Sequence, residues 1–272
     1  MNLHIISSRS RVFKPLYVAS KNLTMPYSLL ELCLDATCVL PPTLLRDLPP
    51  TLKDKLLNKL TKRGYCDDHV LTVLIHSRVA RLDLRDCLVT EKGLQALERA
   101  RCLNVLHLPQ PPAVDAELLS ENALVRMASN VPVLSILTLT GLLGVTDRVV
   151  MALVGGCPNL QEIHLAATPI TNHALTALAT LTHLTCLNIA KTKVNDLGIQ
   201  QLMNGGVGES LRELRVDGCA SITDDSIETI CYNCTHLTIL CFHHCPRVSE
   251  RSRELVGEHM ALRMKQVTWT IY

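Results

Sequence analysis

Between Cys231 and Cys245 the sequence reads "CYNCTHLTILCFHHC", which places Cys231, Cys234, Cys241, His243, His244 and Cys245 close together. A structural zinc ion would want four such soft ligands converging as a tetrahedron. The phase of the surrounding pattern sends them apart. Cys231 ends a helical stretch and Cys234 precedes a strand, while Cys241 faces outward from that strand and Cys245 lies in the turn beyond it. An extended strand advancing ~3.3 Å per residue separates its ends by more than a zinc site spans. The reading is buried thiols acting as small apolar plugs, with no metal and no cofactor. Other chemistry has less support: the chain lacks G-x-S-x-G, H-E-x-x-H and a phosphate-cradling loop with its lysine. "NGGVGES" (204–210) is a connecting loop, and His107 and His164 fall on exposed strand positions, surface rather than catalytic. The expectation is a non-catalytic protein.

The elements that carry these residues repeat. The pattern L-x-x-L-x-L recurs through Val79–Leu82–Leu84, Leu103–Leu106–Leu108, Leu134–Leu137–Leu139, Leu160–Ile163–Leu165, Leu184–Leu187–Ile189, Leu211–Leu214–Val216 and Leu237–Leu240–Phe242. Met264–Val267–Trp269 keeps the phase. The spacing of about 24 to 31 residues suits leucine-rich repeats. "LVTEKGLQAL", "GVTDRVVMAL", "PITNHALTAL", "KVNDLGIQQL" and "SITDDSIETI" form each second half, most with a Thr that can cap the helix. Each unit therefore reads as strand, turn and helix, and only a stack can bury its leucines. "PQPPAVDAELLSEN" inserts a proline-rich loop into the second unit. The fold expected is an α/β leucine-rich repeat solenoid, a horseshoe with its parallel sheet concave, its helices convex and a helical N-terminal cap. "VTWTIY" reads as a terminal edge strand, with Trp269 and Tyr272 covering the last apolar layer.

Composition agrees with many small layers. The 272 residues are 47% hydrophobic but only 3% aromatic, and 27 basic residues against 25 acidic leave no electrostatic footprint for nucleic acid. Charge interrupts every apolar run before membrane-spanning length. Twelve cysteines in a large chain with no secretory signal fit reduced thiols in the cytoplasm or nucleus. Arg9, Arg11, Lys14 and Lys21 precede the first acid, Glu31, as in a mitochondrial presequence, but proline breaks and the lack of an apolar face favour a disordered leader over 1–26.

Repeat arrays of this kind bind on the concave sheet. Arg81, Asp83, Arg85, His107, Thr138, Glu162, His164, Asn188, Arg215, Asp217, Cys241, His243 and Thr268 point there. Mixed signs and sizes suit a protein or peptide better than a polyanion.

Cys87, Cys219 and Cys245 follow the strands, and Thr168 and Thr192 take the same place. This cycle, from Cys66 to Tyr272, resembles the cysteine-containing leucine-rich repeats of F-box proteins that select substrates for ubiquitination. "SITDDSIETICYNCTHLTILCFHHCPRVSERSREL" and "LRMKQVTWTIY" also resemble the antagonist of mitotic exit network family. That resemblance implies restraint of a mitotic-exit GTPase and ubiquitin-ligase substrate selection.

Residues 27–65 precede the repeat domain at 66–272 and read as a helical cap. In "SLLELCLDA", Leu29, Cys33 and Ala36 share one helical face, and Leu30 and Leu34 make a second stripe. Pro49 and Pro50 suit a helix start and Gly64 a stop. Ser28, Leu29, Cys33 and Ala36 resemble an elongin C-binding box, and Leu48, Pro49, Leu52 and Leu56 a cullin box. "LPPTLKDKLLNKL" is also similar to the front of an F-box, though short for a complete one. A cap over the first leucine layer is needed in any case and is compatible with either docking mode. The expectation is a substrate receptor of a cullin-RING ligase, a monomer outside its complex, partnered by an elongin C or F-box-type adaptor, a cullin and a client. The alternative is a cell-cycle inhibitor of a mitotic-exit GTPase that uses the concave face without ligase partners.

Overall fold

The computed structural model describes residues 45–110, 119–260 and 264–269. Among the described residues two helices come first, α1 (Pro50–Lys62) and α2 (Asp68–Leu74). Strand and helix then alternate: β1 (Arg81–Asp83), α3 (Glu91–Ala96), β2 (Val105–His107), α4 (Glu121–Asn130), β3 (Ile136–Thr138), α5 (Asp147–Gly156) and β4 (Glu162–His164). The series continues with α6 (Asn172–Leu178), β5 (Cys186–Asn188), α7 (Asp196–Asn204), β6 (Glu213–Arg215), α8 (Asp224–Asn233), β7 (Ile239–Phe242), α9 (Glu250–Met260) and β8 (Gln266–Trp269). The strands form one open eight-stranded sheet in sequence order, every pair parallel. This is the solenoid expected from the repeats.

The register follows from the leucines. Leu82, Leu106, Leu137, Ile163, Leu187, Leu214 and Leu240 pair side by side along the sheet. Each is buried against the helices, as are Leu84, Leu108, Leu139, Leu165, Ile189, Val216 and Phe242 two residues on. A one-residue slip would turn this whole row outward, so burial of the row holds the register. Each fully buried Leu contributes ~1.5–3 kcal/mol.

Just past the strands the backbone turns through the left-handed region at Gly141, Ala167, Lys191, Gly218 and His244, with φ of 76, 56, 57, 67 and 57°. The turn keeps the ladder going. The amides of Gly141, Ala167, Lys191 and Gly218 donate to Ala166, Ala190, Asp217 and His243 of the following rung.

The helix starts are tied laterally. At each rung the first helical residue accepts hydrogen bonds from the cap residue of the next. Asp68 receives the Thr90 amide and hydroxyl (2.7 and 2.5 Å), Asp147 those of Thr171 (2.7 and 2.6 Å) and Asp196 those of Thr223 (2.8 and 2.9 Å). Glu91 takes the Ser120 amide, Glu121 the Thr146 hydroxyl, Asn172 the Asn195 amide and Asp224 the Ser249 amide and hydroxyl. Seven consecutive junctions are joined in this way. Thr146 departs from the expected capping role, because its hydroxyl goes to Glu121 at 2.6 Å and leaves its own helix uncapped.

The thiols fill the seams between rungs. Cys219 donates to Ile189 O and Cys245 to Val216 O, each at 3.2 Å and each reaching back to the previous rung. Thr168 and Thr192, in the equivalent place, instead bond the carbonyl three residues earlier in their own rung, at 2.6 Å. Cys157 is held by Ala128 O and Val131 O.

Candidate functional site: the concave sheet and the leading helix

Outward side chains of the sheet lie in rows that run across the strands. One row contains Asp83, His107, Thr138, His164, Asn188, Arg215, Cys241 and Thr268, in register. Much of it is satisfied internally. Arg85 forks onto Asp83, with Nε to Oδ1 at 2.9 Å and Nη2 to Oδ2 at 2.6 Å. That guanidinium holds the Asp83 carboxyl below its ordinary range despite partial burial. His107 Nδ1 meets Thr138 Oγ1 at 2.7 Å, and Arg215 Nε donates to Glu213 Oε1 at 2.5 Å. The Asn188 and Asp217 side chains accept backbone amides from Ala190 and His243.

The histidines differ from expectation. His107 and His164 are half-buried rather than free on the surface, and burial lowers both below the usual imidazole range, so they are neutral at pH 7. Cys241 has the register of a concave residue yet is 3% exposed, and Thr138 is 9% exposed. Neither presents usable surface to a partner. Arg81 and Arg85 are exposed, and Glu162, Asn188, Arg215, Asp217 and His243 are half-buried.

Most of the neighbouring row is hidden in the sequence pattern. It runs Arg81, Val105, Ile136, Glu162, Cys186, Glu213, Ile239 and Gln266. Apolar residues at outward positions break the alternation by which strand faces are read. The signal that finds them is their fixed offset, one residue before each core leucine.

Among the described residues no group of three or more His, Cys, Asp or Glu side chains could hold a metal ion. Around the Cys231–Cys245 stretch, Cys234 lies 3.5 Å from Met203 Sδ while Cys245 turns to Val216. Cys241 faces the opposite side of the sheet from Leu240.

At the front, Ser28, Leu29, Cys33 and Ala36 lie outside the described residues. The second set is placed on α1. Pro50 begins the helix, and Gly64, with φ 67°, follows its end, as the sequence suggests. Leu48 and Leu52 are half-buried and Pro49 is exposed. Leu56 is 1% exposed and packs inward with Leu57 and Leu60. Leu48 packs in part against the core, and Leu56 belongs to it fully. Trp269 pairs with Phe242 at the sheet's end, and Tyr272 lies outside the described residues.

A family model described as leucine-rich repeat matches residues 180–203, which contain β5 and most of α7. The antagonist of mitotic exit network protein 1 of Eremothecium gossypii is 30% identical over 180 residues, covering 64% of this chain and 44% of the relative. The chain thus spans less than half of that relative's length. Among solved structures, an internalin C2 of Listeria monocytogenes is similar with a TM-score of 0.54 and 22% identity, covering 82% of this chain and 84% of that one. A chain from the yeast Rad7 and Elc1 complex is similar at a TM-score of 0.48 and 14% identity, covering 87% and 88%. The chain carries leucine-rich repeats in a solenoid of parallel strands and is similar in sequence to the mitotic-exit antagonist.

Proposed function

We propose that this leucine-rich repeat protein is a non-catalytic substrate receptor of a cullin-RING ubiquitin ligase, holding a client on the concave sheet and an adaptor on its leading segment. One observation carries the reading. Helix α1 buries Leu56, Leu57 and Leu60 in the array while Leu48, Pro49 and Leu52 stay accessible at its start. Leu48 also packs in part against the core, but a cap that only closed the leucine stack would have no need of the apolar surface left at Pro49 and Leu52. A helix or its approach laid into a partner's groove uses such a surface directly. Ser28, Leu29, Cys33 and Ala36 would supply the elongin C contact immediately before it.

Co-purification with recombinant elongin C and cullin tests this. Leu29→Asp with Cys33→Asp, and separately Leu52→Asp, should release the adaptor while the repeats stay folded by circular dichroism. Absence of adaptor from the unaltered chain overturns the receptor reading.

The similarity to a mitotic-exit antagonist favours a second reading, a stoichiometric cell-cycle inhibitor that uses the concave sheet alone. Adaptor-free protein that still restrains a mitotic-exit GTPase would support it.

A further inference from the structure

The first concave row has a symmetric centre. Across five neighbouring strands it reads Ile136, Glu162, Cys186, Glu213, Ile239, each in register with the next. Strands ~4.8 Å apart put the two isoleucines roughly 19 Å from one another, with Cys186 midway. Both isoleucines are partly exposed although they lie on the solvent side of the sheet.

The charge at this centre is unbalanced. Glu213 is taken by Arg215 at 2.5 Å. The Glu162 carboxylate has neither a hydrogen bond nor an ion pair among the described residues, and His164 beside it is kept neutral by burial. The Cys186 thiol, pushed up to about 12 by burial and then by Glu213 and Glu162, stays protonated and adds no charge. One half-buried carboxylate therefore stands uncompensated between two aliphatic shoulders. A cation placed there gains a charge-assisted hydrogen bond in a partly desolvated setting, whereas an anion is repelled.

We infer that this strip receives an amphipathic helix of the client, lying across the strands, with an Arg or Lys over Cys186 and an aliphatic residue seven positions to either side. The geometry selects the helix. Seven residues advance about 10.5 Å and return to nearly the same face, which matches the half-length of the strip and puts all three side chains toward the sheet. An extended chain would need about three residues for each half, which turns the middle side chain away. The inference rests on the concave sheet being the client surface and is independent of the adaptor contact.

Labelled Ala/Gln-based helical peptides of about 18 residues, with Leu at the first and fifteenth positions and Arg, Gln or Glu at the eighth, provide the probe. Fluorescence anisotropy on the full chain should rank Arg above Gln above Glu. The Arg peptide should bind about tenfold to a hundredfold more tightly than the Gln peptide. Glu162→Gln should erase that preference, and Glu258→Gln, on the exposed face of α9, should preserve it. Each variant is checked for unchanged thermal unfolding. Equal binding of the Arg and Glu peptides, binding indifferent to Glu162→Gln, or no binding at millimolar peptide overturns the inference. Any of these outcomes leaves the adaptor co-purification intact, and loss of the adaptor leaves the peptide ranking intact.

Discussion

Asp196 and Thr223, on consecutive rungs, are joined twice: the Thr223 amide and hydroxyl donate to the two carboxylate oxygens of Asp196 at 2.8 and 2.9 Å. Ser226 adds its hydroxyl to the same carboxylate at 2.5 Å. One side chain thus satisfies the orphan amide at the next helix start and locks the spacing of two rungs. Asp196→Ala strands those donors in a half-buried junction and should cost ~2 kcal/mol in urea unfolding. Thr223→Ser, which retains both donors, should cost well under half of that.

The same ladder gives a pH response at Asp224. Burial alone would raise this carboxyl, but hydrogen bonds from Ser249 and Ser252, with Arg251 nearby, outweigh it and leave the group below its ordinary value. A depressed carboxylate contributes stability above its unfolded value, near 3.9, and loses it as pH falls through the folded value. Wild type should therefore exceed Asp224→Asn in stability at pH 7. The gap should close as pH falls from about 4 downward, followed by unfolding midpoints at each pH.

The leucine rows were legible because each core position states its own burial by residue type. The lateral ladder was legible only in part. A Thr, Ser or Asn before an acidic or amide residue signals a helix cap, but the bond to the neighbouring rung depends on which rung is adjacent, information that lies some 25 residues away (about one repeat). Glycines at 141 and 218 mark the left-handed turn, whereas Ala167, Lys191 and His244 in the same role conceal it. Charged residues mark the concave face in the sequence, whereas Val105, Ile136 and Ile239 on the same face look like core residues by type.

The turn row separates two kinds of substitution. Gly218 has φ 67°, and an added Cβ would come 3.0 Å from Lys191 Cγ. Gly218→Ala should destabilise by ~1–2 kcal/mol, because a side chain is strained in the left-handed region. Lys191→Gly relieves that strain at an entropic cost and should change stability by less than ~1 kcal/mol. Thermal denaturation of the two variants would separate them, and equal losses would contradict a strained turn.

Cysteine reactivity should follow burial. Cys102 is exposed, whereas Cys157, Cys186 and Cys245 are buried and their thiols are pushed up to about 11, 12 and 11. The thiolate is the reactive form, so these three are both shielded and protonated at pH 8. Under native conditions iodoacetamide should modify Cys102 within minutes, and peptide mass spectrometry should find Cys157 and Cys245 unmodified until denaturant is added and Cys186 labelled only slowly. Cys186 is the sensitive case, since it lies on the concave face and not in the core. A bound helix over the Ile136–Ile239 strip should slow its residual labelling further without altering that of Cys102. Unchanged Cys186 labelling with peptide bound would mean that the ligand lies elsewhere.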